Sequence, residues 1–232
     1  MSEDEEFECF KPSLFEFLEE LKENNDRDWF AQNKGRYESL VREPALAFVR
    51  AIRPMLWSIS PHFRAEDRKQ GGALMRVYRD VRFSKDKSPY KTNVGIHFRH
   101  KAGKDAHAPG FYFHMESGSV FVGAGSWAPP SDALRSIREH IEAEPEAWKG
   151  VIGAKAFAQT FELGGESLKR PPRGFDKDHP LIEDIKRKSF IATLNLTQRS
   201  VLEPGLPERV AEYFEGASGL VGFICEALDV EF

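Results

Sequence analysis

Four short runs rich in valine, isoleucine, phenylalanine and tyrosine follow one another in the middle of the chain and strongly constrain its fold. They cover residues 73–79, 93–100, 110–115 and 119–125, and Gly, Pro, Ser or Asn bounds each of them, as is typical of β-strands. The segments between them are too short for crossover helices, so we expect a largely antiparallel sheet. The sequence Glu-Ser-Gly-Ser at 116–119 predicts a hairpin between the last two strands.

Helical periodicity precedes and follows these runs. Before them, it predicts a helix capped by Ser13, a second helix capped by Asp26 and a third from Pro44 to about residue 59. After them, the pattern predicts helices from residue 131, over 147–152 and over 181–188, a strand over 190–196, and a C-terminal helix over 207–228. The sequence therefore predicts an α+β fold with N-terminal helices, a largely antiparallel sheet and C-terminal helices.

The length of 232 residues suits one domain, and 41% of the residues are hydrophobic, enough to form a core. Residues 1–9 are strongly acidic and are predicted to be a disordered tail, which leaves 10–232 as a single α+β domain. The acidic N-terminus is unlike a secretory signal, and no apolar run approaches the roughly 18 residues of a membrane span. We therefore expect a cytoplasmic protein that has no membrane partner.

The residues that usually bind metals show no ligand spacing. Cys9 and Cys225 lie far apart, which leaves open a single disulfide between them. Four histidines lie in or beside the predicted strands: His97, His100, His107 and His114. Residues three apart on a strand point to opposite faces, so this spacing does not predict a shared metal. We predict no metal site and no cofactor.

Residues 123–128, Gly-Ala-Gly-Ser-Trp-Ala, match the GxGxxG/A spacing of dinucleotide-binding loops. That motif binds pyrophosphate at the first turn of a helix in a parallel βαβ unit. Here Pro129 and Pro130 delay the helix, and a predicted hairpin precedes the motif. We therefore interpret these residues as a strand end followed by a tight loop.

Charge is distributed unevenly along the chain. The formal net charge is −4, yet residues 68–104 contain eleven basic and two acidic residues, a formal charge of +9. Six bases fall between Arg76 and Lys91, where they repel one another unless acidic neighbours or a bound anion compensate them. From Ser84 onward the composition predicts a loop, and loops on a rigid sheet often bind ligands.

We predict that this segment binds a phosphate-containing or other anionic ligand, or a nucleic-acid backbone. Arginine offers bidentate contacts, lysine offers a point charge, and hydroxyl groups add hydrogen bonds to phosphate oxygens. The predicted anion-binding residues are Arg76, Arg79, Arg82, Ser84, Lys85, Lys87, Tyr90 and Lys91. A secondary basic patch consists of Lys169, Arg170 and Arg173.

Three alternatives remain open at this point. The segment could be a solvated loop in which Arg79 and Arg82 pair with acidic neighbours such as Asp80 and Asp86. It could serve an enzyme, a phosphoester or related hydrolase or transferase, in which the same cations stabilise transition-state charge. Asp80 or Asp86 would then act as base, with Ser84 or Tyr90 close to the substrate. It could also recognise an acidic protein partner. The sequence assigns neither a catalytic residue nor an oligomeric state.

Several segments together resemble an uncharacterised family of bacterial and fungal conserved hypothetical proteins, a domain of unknown function. The resemblance rests on residues 15–38, the run RDVRFSKDKSPYKT at 79–92, and residues 109–112 and 168–175. It extends over nearly the whole chain from about residue 10 and implies one domain. It implies no known activity, cofactor or catalytic residue.

Overall fold

The structure is a computed structural model that describes residues 7–68, 71–103 and 107–232. Three helices come first, α1 (Pro12–Glu23), α2 (Arg27–Tyr37) and α3 (Glu43–Ile59), with a π-helical turn at Glu38–Arg42. The strands are β1 (Asn93–Arg99), β2 (Gly110–Glu116), β3 (Ser119–Ser126), β4 (Glu162–Gly164) and β5 (Phe190–Leu196). The later helices are α4 (Ser131–Ala143), α5 (Pro145–Gly153), α6 (Lys155–Ala158), α7 (Ile182–Ile185), α8 (Leu206–Gly216) and α9 (Ser218–Ala227), with a 3-10 turn at Arg199–Leu202.

The described strands form one five-stranded antiparallel sheet in the order β1-β2-β3-β5-β4. Helices precede the sheet and helices follow it, so the predicted α+β fold is confirmed. The predicted hairpin between the runs at 110–115 and 119–125 is also present, because Glu116 pairs with Ser119 at the ends of β2 and β3.

Side chains alternate between two different faces of this sheet. The face that we call the core face packs against α3, α8 and α9 and carries buried apolar side chains, among them Ile96, Phe113, Val122 and Ala192. The opposite face, which we call the open face, carries Gly95, His97, Gly110, Tyr112, His114, Phe121, Gly123, Gly125, Ile191 and Thr193. The buried apolar side chains form one hydrophobic cluster.

The run at 73–79 is predicted to be a strand but forms only isolated bridges, at Leu74 and Tyr78. The reason is a change of partner along the segment. Met75 N–H donates to the carbonyl of Gly95 in β1 (2.9 Å), whereas the carbonyl of Val77 accepts from Lys91 N–H (2.7 Å). Neither pairing extends over enough consecutive residues to form a regular β-ladder.

The ends of several helices also differ from the predictions. Helix α1 begins at Pro12, so Ser13 lies inside the first turn, and the N-cap Lys11 makes no side-chain cap hydrogen bond. The predicted C-terminal helix is divided into α8 and α9 after Gly216, a residue of low helix propensity. Helix α7 ends at Ile185 because the backbone of the next residues bonds to residues 166–168.

Residues 7–9, which the sequence assigns to a disordered tail, belong to the part of the chain that the structure describes. Phe7 lies against the core, with its ring centroid 5.0 Å from that of Phe10 and 5.8 Å from that of Phe48. The carbonyl of Glu8 accepts a hydrogen bond from Leu206 N–H (3.0 Å). The partly buried ring of Phe7 therefore packs with the core residues. Residues 1–6 lie outside the described residues.

Asp26 caps α2 as predicted, because its carboxylate accepts the backbone N–H groups of Asp28 and Trp29, each at 2.9 Å. We expect Asp26→Ala to lower the free energy of unfolding by about 1 kcal/mol, since it leaves these donors without the cap. Asp26→Asn keeps an oxygen acceptor and should remain close to the wild type. Urea unfolding measures both variants, and an equal loss in the two would contradict the capping role.

Candidate functional site

The basic segment, residues 76–91, begins and ends beside the β1 edge of the sheet. Lys91 N–H donates to the carbonyl of Val77 (2.7 Å), and Arg79 N–H donates to the carbonyl of Pro89 (2.9 Å). These two hydrogen bonds hold the ends of the segment together. The residues between them form a loop that projects from the sheet, as the composition predicts.

Within this loop, Arg82 pairs with Asp80. The Arg82 Nε atom lies 2.9 Å from Asp80 Oδ1, and Nη2 lies 2.6 Å from Oδ2. This hydrogen-bonded guanidinium lowers the pKa of Asp80 to about 2. The carboxylate is therefore ionised at neutral pH, and the charge of Arg82 is compensated inside the loop.

A second ion pair joins Arg79 to Asp86. The carboxylate of Asp86 also accepts the hydroxyl of Ser88 (2.6 Å) and the backbone N–H of Ser88 (2.9 Å). The hydrogen bond from the Ser88 hydroxyl, followed by that from Arg79, holds the pKa of Asp86 well below its usual range. Both pairs that the solvated-loop alternative names, Arg79–Asp86 and Arg82–Asp80, are thus present.

A cavity of about 340 Å³ lies between the loop, the end of α1 and the start of β1; we call it the cation-lined cavity. Its lining consists of Lys22, Asn25, Arg79, Asp86, Ser88, Tyr90, Lys91, Thr92 and Asn93. Three of these side chains are cationic, and among the lining residues that the structure describes Asp86 is the one carboxylate. The formal charge of the lining is therefore +2.

Asn25 attaches the loop to the turn between α1 and α2. Its side-chain Nδ2 donates to the carbonyl of Tyr90, and its Oδ1 accepts the Tyr90 N–H, both at 3.0 Å. The ring of Tyr90 is buried and stacks on Phe30 at a centroid distance of 4.0 Å. These contacts fix the backbone directly before Lys91, whose side chain lines the cavity.

The two lysines of the cavity come from different parts of the chain. Lys22 lies in the last turn of α1, and Lys91 lies just before β1. Burial lowers the pKa of Lys91, and the nearby charge of Arg76 lowers it further. A bound anion would relieve both effects, because it would compensate the partly desolvated ammonium group.

Two hydroxyl groups of the cavity, those of Ser88 and Thr92, donate their protons to carboxylates. Ser88 donates to Asp86, and Thr92 Oγ1 donates to Glu116 Oε1 (2.7 Å). Each hydroxyl has a single proton, so in this arrangement Ser88 and Thr92 present lone pairs to the cavity. For Ser88 and Thr92, this geometry does not support donation to a bound anion.

The structure brings together only part of the predicted set. Arg79, Tyr90 and Lys91 line the cation-lined cavity, and Tyr90 contributes mainly by anchoring the loop. The other predicted residues lie outside the lining: Arg76, Arg82, Ser84, Lys85 and Lys87. Lys69 and Lys104, which belong to the basic island, lie outside the described residues.

Lys22 and Asn25 are site residues that the sequence analysis missed. Asn25 contacts Tyr90 across 65 positions of sequence, and no local pattern near residue 25 predicts that contact. The sequence showed only that a helix ends there. Thr92 and Asn93 directly follow the basic segment and could have been included by extending it to the start of β1.

The secondary basic patch does not join the cation-lined cavity. Lys169, Arg170 and Arg173 follow β4, at the sheet edge opposite β1, and all three are exposed. Leu168 N–H bonds to the carbonyl of Lys186 (2.8 Å), which holds this patch at that edge. The two basic regions are therefore separate surfaces.

The histidines are dispersed, as the strand geometry predicts. His97 lies on the open face, whereas His100 contacts Phe63 and its Nε2 atom lies 2.8 Å from the carbonyl of Glu231. Across the described ranges, no group of three or more His, Cys, Asp or Glu side chains could hold a metal ion. Cys9 and Cys225 are free thiols, so the disulfide left open by the sequence does not form.

These features define a class of α+β protein in which an antiparallel sheet presents a cation-lined cavity at one edge. The chain belongs to the conserved hypothetical protein family DUF2461, whose model matches residues 13–223. The resemblance found in the sequence is therefore confirmed. No curated protein and no solved structure matches the chain. In the part of the chain that the structure describes, every helix is too short or too polar to cross a membrane.

The Asp80–Arg82 pair gives a direct prediction for titration. Because the ion pair depresses the pKa of Asp80 to about 2, it stabilises the folded loop above the ordinary pKa of 3.8, and this contribution disappears as the pH falls towards 2. Arg82→Ala removes the largest cause and should raise the Asp80 pKa from about 2 towards its ordinary value of 3.8, while the backbone N–H of residue 82 (3.2 Å) still holds it below that value. Carboxyl-detected NMR titration measures this shift. Asp86 is the internal control, since its hydrogen bonds come from other residues, and an unchanged Asp80 pKa would show that Arg82 is not the cause.

Proposed function

We propose that the protein binds a compact phosphate-containing or other anionic ligand in the cation-lined cavity. The observation that carries this proposal is the convergence of Lys22, Arg79 and Lys91 on one cavity of about 340 Å³. The lining has a formal charge of +2, and a phosphate group carries a charge of about −1.5 to −2 near neutral pH. Charge and size are therefore matched.

The ammonium groups of Lys22 and Lys91 are the main anion contacts in this proposal. The guanidinium of Arg79 is already paired with Asp86, and the Ser88 hydroxyl donates to the same carboxylate. Lysine acts on an anion as a point charge without a fixed fork geometry. Binding should therefore depend strongly on ionic strength and weakly on the exact shape of the anion.

A compact ligand fits the structure better than a nucleic-acid backbone. Outside the cavity, Arg82 pairs with Asp80, and Lys87 Nζ donates to the carbonyl of Val81 (2.9 Å). The secondary patch at 169–173 lies at the opposite edge of the sheet. A polyanion needs a continuous track of available cations, and these contacts interrupt it.

Binding has more support than catalysis. A general acid or base works best when its pKa lies near the working pH. Hydrogen bonds from Ser88 and Arg79 hold the pKa of Asp86 far below that range. Asp80 and Ser84, which the enzyme alternative also uses, lie outside the cavity lining. The hydrolase or transferase alternative thus lacks the proton-transfer group that it requires among these residues.

We expect pyrophosphate to bind to the wild type and to bind about tenfold or more weakly to Lys22→Gln and to Lys91→Gln. Loss of one hydrogen bond to a charged group costs about 1.5–3 kcal/mol, and about 1.4 kcal/mol is tenfold in affinity. Isothermal titration calorimetry at low and moderate salt measures the change. Lys85→Gln is the matched control, because it removes the same charge from the same loop outside the cavity and should change the affinity less than about twofold.

An equal loss in Lys85→Gln and Lys91→Gln would mean that a diffuse loop charge binds the anion, which would contradict a defined site. Failure of pyrophosphate and inorganic phosphate to bind the wild type would also overturn the proposal. Binding of a short single-stranded oligonucleotide that depends on Lys85 would favour the nucleic-acid alternative. Capture of an acidic protein partner through Lys85 would favour the interaction module.

A further inference from the structure

The open face of the sheet contains a second cavity, of about 400 Å³, which we call the aromatic cleft. Its sides include Tyr112, Phe121 and Trp127, and its floor includes Gly110, Gly123 and Gly125. Among the lining residues that the structure describes, none is Lys, Arg, Asp or Glu, and none belongs to the lining of the cation-lined cavity. The described lining of the cleft is therefore uncharged and separate from the cation-lined cavity.

Backbone packing requires two of the three glycines in the floor to be glycine but does not require the third. A Cβ atom on Gly110 would lie 2.4 Å from the carbonyl oxygen of Phe98, and one on Gly125 would lie 2.0 Å from that of Phe190. Backbone packing therefore requires glycine at these two positions. At Gly123 the nearest atoms to such a Cβ lie 3.7 and 3.8 Å away, which is ordinary van der Waals contact. The fold thus has room for a side chain at residue 123, and that side chain would fill the cleft.

Trp127 stands at the rim and is 59% exposed, which is unusual for a large apolar side chain. Its indole stacks on His107, with centroids 5.5 Å apart and an interplanar angle of 11°. The neighbouring Ala128 has a φ of 43°, in the left-handed region that alanine rarely adopts. Its N–H donates to Ser189 Oγ (2.9 Å), and Ser126 Oγ donates to the carbonyl of His107 (2.7 Å).

These contacts hold an exposed tryptophan in one position at the cost of a strained backbone. Strain of this kind persists where the surrounding structure fixes it, and it occurs often at ligand-binding sites. A rigid indole binds a flat ring with little further loss of conformational entropy. The position of Trp127 is therefore explained by a ligand ring better than by the fold, which gains little from an exposed indole.

We propose that the aromatic cleft binds an uncharged planar heteroaromatic ring of one or two fused rings. The volume lies near the lower end of the roughly 300–1,000 Å³ of small-molecule pockets, which suits a ring rather than a peptide. The lining is mainly apolar and aromatic, and Tyr112 and Thr193 supply a few polar groups for ring nitrogen or oxygen atoms. This pattern of apolar walls with few polar anchors is typical of small-molecule sites.

Quinoline, a two-ring heteroaromatic that is uncharged at neutral pH, is a suitable probe for this site. We expect the full chain to bind it with a Kd on the order of 0.1–1 mM, as ligand efficiency allows for about ten heavy atoms. Two-dimensional NMR titration measures the affinity and locates the contact. Cyclohexanol, which is not planar, should bind at least about fivefold more weakly if stacking contributes.

Gly123→Val fills the cleft without a backbone clash and should weaken quinoline binding at least tenfold while the protein keeps its melting temperature. Gly164→Val is the matched control: it lies in β4 outside the lining, and its Cβ would also meet only ordinary contacts, at 3.8 and 3.9 Å. Unchanged quinoline binding in a folded Gly123→Val variant would overturn the proposal, as would equal binding of quinoline and cyclohexanol.

If Gly123→Val does not fold, alanine substitutions of two exposed tryptophans test the proposal instead. Trp127→Ala should weaken quinoline binding about fivefold or more, whereas Trp57→Ala, which removes another exposed tryptophan from α3, should not. Equal effects of these two substitutions would overturn the proposal. Lys91→Gln should leave quinoline binding unchanged, so this test succeeds or fails independently of anion binding.

Discussion

Burial of the core face of the sheet against α3, α8 and α9 is the interaction on which the rest of the structure depends. Ile96, Phe113 and Val122 are fully buried there. Successive side chains of a strand point to opposite faces, so this burial also determines what the open face carries. Tyr112 and Gly123 are placed on the open face by the same register that buries their neighbours. A shift of one residue would exchange the two faces and remove both the core and the aromatic cleft.

The cation-lined cavity depends on a second constraint, the attachment of the basic loop at both ends. Backbone hydrogen bonds join residues 77–79 to 89–91, and Asn25 holds Tyr90 through two hydrogen bonds. The ion pairs of the loop then divide its cations into two groups. Arg82 stabilises the loop itself through Asp80, whereas Lys91 faces the cavity beside Lys22. The charge of the segment therefore serves both folding and the proposed anion site.

The fold was largely predictable from the sequence because its strands are bounded by turn residues and its helices by strong periodicity. The strand predicted at 73–79 failed because its apolar residues bond to two different partners, which no local pattern shows. The residues of the site were predictable only where they lie close together in the sequence. Arg79 and Lys91 lie in one charged run, whereas Asn25 reaches Tyr90 across 65 positions. In the sequence, residues 123–128 are notable for the spacing of a dinucleotide motif, and that spacing does not indicate that Gly123 and Gly125 line a cleft on the open face.

The two cavities have separate linings but are connected through the open face. Thr92, at the cation-lined cavity, donates to Glu116, and His114 Nε2 lies 3.7 Å from the same carboxylate. His114 Nδ1 lies 3.1 Å from the hydroxyl of Tyr112, at the aromatic cleft. Burial lowers the pKa of His114, so the imidazole is neutral at pH 7 and does not compensate Glu116. The Thr92 hydroxyl proton is donated to Glu116, which leaves lysine ammonium groups as the main anion contacts in the cavity.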